Sequence, residues 1–158
     1  MVARARKPPA QKPGSSKQDY STPRSFLNGV ERRFGPIKWD LAAHEKNAVC
    51  DLWIGERQNS LVHDWHQLDG WLFLNPPLGD IAPWAKKCAV EAAKGARILF
   101  LTPASSGSNW FQDHLVRHGY VLDLAPRLSF DGKAPFPKDL VLTVFAHGLV
   151  GRGFWRWA

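Results

Sequence analysis

A chain of 158 residues with a hydrophobic fraction of 44% and eight tryptophans has the length and composition of one globular domain with a substantial core. No apolar run approaches the roughly 20 residues that cross a membrane, and no signal-peptide core follows the basic amino terminus, so we expect no membrane association and a cytoplasmic protein. The two cysteines, Cys50 and Cys88, are widely spaced, which argues against a disulfide framework or a cysteine-based zinc site.

The net charge of +7 is concentrated at the amino terminus, because residues 1–18 contain five cations and no acid. Their content of Pro, Gly, Ser and Lys predicts a disordered basic arm. Such an arm either holds the phosphate backbone of a nucleic acid through counterion release or only keeps the protein soluble, and charge alone does not decide between the two. The five cations are Arg4, Arg6, Lys7, Lys12 and Lys17. We expect the folded domain to span residues 19–147.

The first predicted element of the domain is a helix. Ser21 or Thr22 can cap it, and Pro23 is suited to its first turn. Apolar residues at helical spacing continue to Phe34, and Gly35-Pro36 should end the element.

A short strand is predicted next, at residues 37–43, and it contains an acid, Asp40, followed by small residues. In an open α/β sheet, an acid at the end of the first strand usually contacts the hydroxyls or the amine of a cofactor. Residues 44–50 should form a helical turn, residues 51–54 a second strand and residues 55–60 a polar loop. Asp64 precedes the third strand by a few residues, so we expect it near the same sheet edge.

The segment Trp71–Asp80 is the most informative part of the chain. Its first four residues are apolar and predict a buried strand, which Pro76 and Pro77 cannot continue because they have no N–H to donate. Asn75 should therefore lie at the carboxyl end of a strand, where open α/β sheets bind ligands. Its amide oxygen and the neighbouring carbonyls form a group of acceptors suited to an –NH2 group.

The carboxyl half alternates helices and strands. Asp80 is the expected N-cap of a helix that has Pro83 in its first turn and Gly95 at its end. The later predicted elements are a strand at 97–103, a loop at 105–109, a helix at 110–118, a strand at 120–124, a rigid turn at 134–137 and a strand at 141–146. This order predicts an α/β fold with a mostly parallel sheet that ends in an antiparallel pair.

Residues 148–158 interleave two cations, Arg152 and Arg156, with the aromatic residues Phe154, Trp155 and Trp157. Such a mixture suits stacking on bases and contact with phosphates. Packing of the aromatic rings on the sheet is the other interpretation of this tail.

A series of short motifs carries a family resemblance. In chain order they are Thr22-Pro23, Phe34-Gly35-Pro36, Asp40-Leu41-Ala42-Ala43, Asn47-Ala48, Asp64-Trp65, Asn75-Pro76-Pro77, Trp84, Pro103-Ala104, Trp110-Phe111, Arg127-Leu128-x-Phe130 and Pro135-Phe136-Pro137. The series resembles the small phage DNA N-6-adenine methyltransferases, which are related to the Dam-type enzymes. Asn75-Pro76-Pro77 resembles motif IV, (Asp/Asn)-Pro-Pro-(aromatic), of amino-methyltransferases. The resemblance implies a Rossmann-like methyltransferase sandwich that binds S-adenosylmethionine and methylates N6 of adenine in DNA, with short or relaxed sequence specificity.

The resemblance also implies a role for individual residues. The implied catalytic residues are Asn75, Pro76, Pro77 and Leu78. The implied cofactor contacts are Thr22, Pro23, Asp40, Ala42, Asn47, Asp64 and Asn75. The implied DNA contacts are the five cations of the arm with Ser105, Trp110 and Arg127. Two positions depart from the family pattern, since Leu78 replaces an aromatic residue and Ser105 a common arginine.

Other functions remain open at this point. A noncatalytic nucleic-acid-binding relative is one, because Leu78 removes a stacking face for the target base. A methyltransferase acting on RNA or protein is another. Metal binding is not expected. His114 and His118 lie at i, i+4 beside Asp113, and His63 and His66 flank Asp64, but surface histidines are common and no ligand beyond these is evident.

Overall fold

The computed structural model describes residues 21–158, so the predicted basic arm lies outside the described residues. Seven strands of the described part form a single sheet, in the order β2-β1-β3-β4-β6-β5-β7. The helices and strands are α1 (Arg24–Phe34), β1 (Ile37–Asp40), β2 (Leu52–Trp53), β3 (Trp71–Leu74), α2 (Ala82–Ala93), β4 (Arg97–Pro103), β5 (Tyr120–Ala125), β6 (Leu140–Phe145) and β7 (Gly151–Arg156). A π-helical segment, Phe111–Val116, lies between β4 and β5.

The sheet is mixed, and one strand is reversed. β1 is parallel to β2 and β3, β3 is parallel to β4, and β5 is parallel to β7. β6 is antiparallel to both of its neighbours, β4 and β5. The predicted α/β class with a mostly parallel sheet is confirmed. The antiparallel part lies inside the sheet, because β6 inserts between β4 and β5.

Both faces of the sheet are buried. Leu72 and Leu74 of β3 belong to a core cluster that includes α2, whereas Phe73 points to a second cluster that includes α1. This two-sided burial explains the uninterrupted apolar run of β3, since a strand with one wet face would alternate apolar and polar residues. Within residues 21–158, no helix combines the length and the apolar character that a membrane crossing requires.

Residues 148–158 do not form a separate tail. β7 pairs with β5 from Tyr120↔Gly151 to Ala125↔Arg156, so the predicted boundary after residue 147 falls inside the sheet. Glycine is required at position 151, because an added Cβ would lie 2.7 Å from the ring of Tyr120.

The tryptophans of this segment pack on the domain, as the second interpretation of the tail expected. The ring centroids of Trp155 and Trp157 lie 6.0 and 5.4 Å from that of Phe26 in α1. Phe154 is 89% exposed on the other face of the edge strand. The Arg152 side chain donates to both carboxylate oxygens of Asp123, at 2.9 and 3.0 Å.

α1 begins as predicted but without the predicted cap. Its first helical residue is Arg24, Pro23 occupies the N-cap position, and no side chain caps the helix. Thr22 is therefore not a helix cap. Gly35, at φ 106°, ends the helix as expected and donates its N–H to the Glu31 carbonyl.

α2 begins two residues after the predicted N-cap. Ile81 takes the N-cap position and no side-chain oxygen caps the helix, so the capping role predicted for Asp80 is wrong. Pro83 lies in the first turn, as predicted, and Gly95 follows the helix at φ 109°.

The helical turn predicted for residues 44–50 is one hydrogen-bonded turn, in which Asn47 and Ala48 donate to the His44 carbonyl.

One acid of α2, Glu91, is buried within a polar network. It accepts hydrogen bonds from the backbone N–H of His66 at 2.8 Å and from His66 Nδ1 at 2.7 Å, and Lys87 Nζ lies 3.1 Å away. Asp64, His66 and Glu91 form the one set of three possible metal ligands found in residues 21–158, so α2 supplies a third ligand that the sequence did not reveal. Within this set, Glu91 already has a positively charged partner, the ammonium group of Lys87.

Removing the charge of Glu91 should destabilise the fold. Burial opposes its ionisation, but hydrogen bonds from His66 and Lys87 hold the pKa of Glu91 below its ordinary value of 4.5. Its contribution to stability is therefore complete above that value and is lost as the pH falls through the folded-state pKa. Glu91→Gln should lower the free energy of unfolding by about 1–3 kcal/mol at pH 7, measured by urea denaturation, and much less near pH 3.

The control for this variant is Asp69→Asn, which removes an exposed acid paired with Lys38. That change should leave the free energy of unfolding nearly unchanged at pH 7. Equal effects of the two variants would contradict a structural role for the Glu91 network.

Candidate active site

The topology places a crevice between the carboxyl ends of β1 and β3. β1 is followed by β2 on one side, and β3 is followed through α2 by β4 on the other, so the direction of winding changes between β1 and β3. Open α/β sheets bind ligands at such a switch point. A cavity of about 370 Å³ opens there. The predicted site residues that line it are Thr22, Asp40, Ala42, Asn47, Asn75, Pro76, Pro77 and Leu78.

Asp40 ends β1 and is only 4% exposed. Its two carboxylate oxygens accept the backbone N–H groups of Ala42 at 3.2 Å and Val49 at 3.1 Å, so one side chain holds both ends of the loop that borders the cavity. Burial raises the pKa of Asp40 from 3.8 to about 6, although the two backbone hydrogen bonds partly counteract it. A buried carboxylate with a raised pKa is suited to a cationic ligand group, which would supply the missing counter-charge.

Asn75 follows β3 and is held by a residue from the start of the domain. Its Nδ2 donates to Thr22 Oγ1 at 3.3 Å, and Thr22 itself is only 7% exposed. Because this bond uses the donor end of the amide, Oδ1 remains as an acceptor. Pro76 and Pro77 add carbonyl groups and no N–H donors. The cavity therefore contains a group of acceptors beside Asp40.

Two residues of the predicted cofactor pocket lie outside the cavity lining. Pro23 is the N-cap of α1. Asp64 is exposed, because a 3₁₀ turn at Trp65–Gln67 begins immediately after it and turns Trp65 into the core. The Trp65 ring stacks on Trp84 at 6.3 Å and 19°. Asp64 lies beside His66 and Glu91, and its predicted contact with the cofactor stays a prediction.

The predicted DNA contacts fall into three groups. Ser105 and Trp110 line a second cavity of about 310 Å³. Arg127 is exposed and donates through Nε to Asp139 at 2.9 Å. The five cations of the arm lie outside residues 21–158.

Sequence reasoning missed several residues of the first cavity. Glu56 and Asn59 line it from the segment after β2, which the sequence predicted only as a polar loop. The signal was an acid just after a second short strand, because that strand ends at the same edge as β1. Phe130 and Phe136 line it from the segment between β5 and β6. Their signals were two motifs of the family series, Arg127-Leu128-x-Phe130 and Pro135-Phe136-Pro137.

The mixed sheet, with a buried acid at the end of β1 and an acceptor group after β3, is consistent with a Rossmann-like methyltransferase fold. The family model described as "DNA N-6-adenine-methyltransferase (Dam)" matches residues 10–132. The chain belongs to this DNA N-6-adenine-methyltransferase (Dam) family, which confirms the resemblance noted from its motifs.

A curated relative points the same way. The chain is 30% identical over 101 residues to a protein named DNA N-6-adenine-methyltransferase from Escherichia phage T1. The alignment covers 64% of this chain and 42% of the relative, so this chain matches less than half the length of that protein.

The environment of Asp40 can be tested directly by its titration. Because burial disfavours its charged form, the carboxyl group should lose its proton near pH 6, well above the ordinary value of 3.8. Carboxyl ¹³C shifts measured by NMR would give this midpoint, with Asp40→Asn to assign the signal. Asp131 is the control, because backbone N–H groups of Lys133 and Ala134 hold the pKa of this exposed acid below its usual range. Titration of Asp40 near pH 4 would contradict the proposed burial.

Proposed function

We propose that the protein transfers a methyl group from S-adenosylmethionine to the exocyclic N6 amine of adenine in DNA, with short or relaxed sequence specificity. The observation that carries this proposal is the shared cavity of Asp40 and the Asn75-Pro76-Pro77 acceptors. One part of this cavity is suited to a cationic cofactor and the adjacent part to an amine. Family membership supports the same chemistry.

The cavity residues fit S-adenosylmethionine. Asp40 offers a buried carboxylate to its positive charge, and Ala42 is small enough for a ligand to approach the backbone. Glu56 and Asn59 suit ribose hydroxyls, and the apolar Ile54 suits the adenine ring. When bound, the cofactor supplies an electrophilic methyl group on a sulfonium centre. The acid of β1 and the acid after β2 would therefore hold different parts of it.

Asn75 acts on the amine in this proposal. The adenine amine is a poor nucleophile, because its lone pair is delocalised into the ring. Accepting its two N–H groups, with Asn75 Oδ1 and the Pro76 carbonyl, favours a pyramidal nitrogen and frees the lone pair. Thr22 holds the Asn75 amide so that Oδ1 is the atom available. This is positioning with electrostatic preorganisation and needs no general base.

The substrate must reach this group of acceptors as an unpaired base. An adenine stacked in a duplex cannot bring its amine to Asn75, so the target base would be flipped out or taken from a single strand. DNA as substrate is consistent with an intracellular location, in the host cytoplasm if a phage encodes the chain.

One observation favours a second function. Leu78 is 47% exposed where the motif has an aromatic residue, which is compatible with a noncatalytic nucleic-acid-binding relative. Digesting treated DNA to nucleosides and analysing them by mass spectrometry separates the two. N6-methyldeoxyadenosine is expected for the enzyme; DNA binding without any methylated nucleoside supports the second function. Parallel reactions with RNA and protein test the remaining methyltransferase alternatives.

Asn75 and Asp40 should affect catalysis and cofactor binding differently. Asn75→Ala removes an acceptor that strengthens as the amine becomes pyramidal, so the methylation rate should fall by about a hundredfold or more while S-adenosylmethionine binding largely survives. Asp40→Asn should instead weaken cofactor binding, measured by calorimetry. Wild-type activity in Asn75→Ala would show the mechanism to be wrong.

Thr22 provides a matched control for this pair. Thr22→Val removes the hydroxyl that holds the Asn75 amide and keeps the shape of the side chain, so it should lower the methylation rate without a comparable loss of cofactor affinity. Thr22→Ser keeps the hydroxyl and should retain most of the rate. If Thr22 had only a structural role, the loss of methylation rate would follow the change in side-chain volume, so Thr22→Ser would lose more than Thr22→Val.

The basic arm should add DNA affinity without choosing a sequence. Replacing its five cations by glutamine should reduce the slope of log affinity against log salt concentration by up to about 4 to 5 for duplex DNA, as about five fewer counterions are released. Fluorescence anisotropy at several salt concentrations gives this slope. Identical slopes for both proteins would show that the arm serves solubility only.

A further inference from the structure

The second cavity adjoins the acceptor group of the first. Both cavities are lined by Leu78, Pro103 and Phe136. Leu78 directly follows the Asn75-Pro76-Pro77 motif. A ligand whose amine reaches Asn75 can therefore place its other atoms against this shared boundary.

The two aromatic residues of β3 cannot replace the missing ring at position 78. Phe73 is 0% exposed within the core. Trp71 lies at the opposite end of β3 from Asn75, where its Nε1 donates to the Phe34 carbonyl at 2.7 Å. Of the aromatic residues outside β3, Trp84 lines only the first cavity, whereas Phe136 lines both.

Phe136 has the position and the rigidity for this task. Its ring is half-buried and meets the Phe130 ring edge-on, at 5.5 Å and 79°. Its N–H donates to the Leu128 carbonyl at 2.7 Å, and prolines on both sides restrict the backbone. The ring is therefore held before any ligand binds, which keeps the entropic cost of binding low.

Trp110 and Lys138 also line the second cavity, together with one acid, Asp80. Trp110 is half-buried, and its ring rests against Phe111 at 5.6 Å and 67°. Lys138 lines the same cavity and is exposed, so its ammonium group can meet a phosphate. An aromatic surface with a neighbouring cation is the combination that binds unpaired nucleotides.

From this arrangement we infer that Phe136, with Trp110, provides the surface on which the target adenine packs, in place of the aromatic residue that Leu78 replaces. The inference rests on the proposed function for the identity of the base. It assigns Phe136 as a base-positioning residue and the second cavity as the site for the nucleotide.

Affinity for an unpaired adenine tests this assignment. The full chain, without S-adenosylmethionine, is titrated into a labelled single-stranded oligodeoxyadenylate and into an abasic oligomer of equal length. Phe136→Leu should weaken binding of the adenine oligomer by about fivefold or more and leave the abasic oligomer unchanged. Adding Leu78→Phe to this variant should recover the lost preference for adenine, because a ring then stands at the position that the motif provides.

Two controls and two outcomes decide the result. Phe154→Leu removes an exposed ring outside both cavities and should change neither affinity, and thermal unfolding followed by circular dichroism verifies that Phe136→Leu is folded. An unchanged preference for adenine in Phe136→Leu overturns the inference, and so does an equal loss for both oligomers, which would indicate phosphate contacts. This binding test does not measure methyl transfer. A failure of the proposed function would therefore appear in the other experiment, the nucleoside analysis, as absence of methylated adenine, while the preference for the adenine oligomer stayed intact.

Discussion

The site depends on the absence of two backbone donors. Pro76 and Pro77 have no N–H, so β3 cannot continue its ladder, and its last pair with β4 is Leu74↔Phe100. β4 continues to Pro103 beside β6. Because β4 is longer than β3, Leu101–Pro103 have no paired strand on the β3 side, and these residues line the cavity. One local constraint thus ends a strand, opens a cavity and presents Asn75 at its edge.

The second determinant of the site is a charge kept in an apolar environment. Asp40 would be more easily ionised in water, yet its carboxylate connects the backbone at Ala42 and Val49 and so fixes the loop after β1. Burial raises the pKa of Asp40 to about 6, so the ionised form is costly until a cation approaches. The same side chain therefore shapes the cavity and favours a positively charged ligand.

The sequence predicted what depends on local pattern. The apolar run before Asn75 and the prolines after it identified β3 and the ligand edge, because strand burial and the missing N–H act within a few residues. It could not locate Asp64, since one 3₁₀ turn decides which side chains face outward. Nor could it show that Glu91 binds His66, 25 residues away. The edge strand β7 was not predicted, because its pairing with β5 depends on contacts distant in sequence, such as the packing of its two glycines against Tyr120.

The segment between β5 and β6 bears on the replacement of the aromatic residue of the motif by Leu78. That segment is anchored at the edge of the sheet that borders the cavity, because the N–H of Ala104 after β4 donates to the Asp139 carbonyl at 2.9 Å. Phe136 thereby lines the same two cavities as Leu78, although it is distant in sequence. An aromatic ring at position 78 would belong to the same motif as the Asn75-Pro76-Pro77 acceptors and would share their position. The ring of Phe136 belongs to a separate segment and can be substituted without disturbing these acceptors. In the proposed function, base packing and amine binding rest on different parts of this chain, so substitutions should alter one while the other is retained.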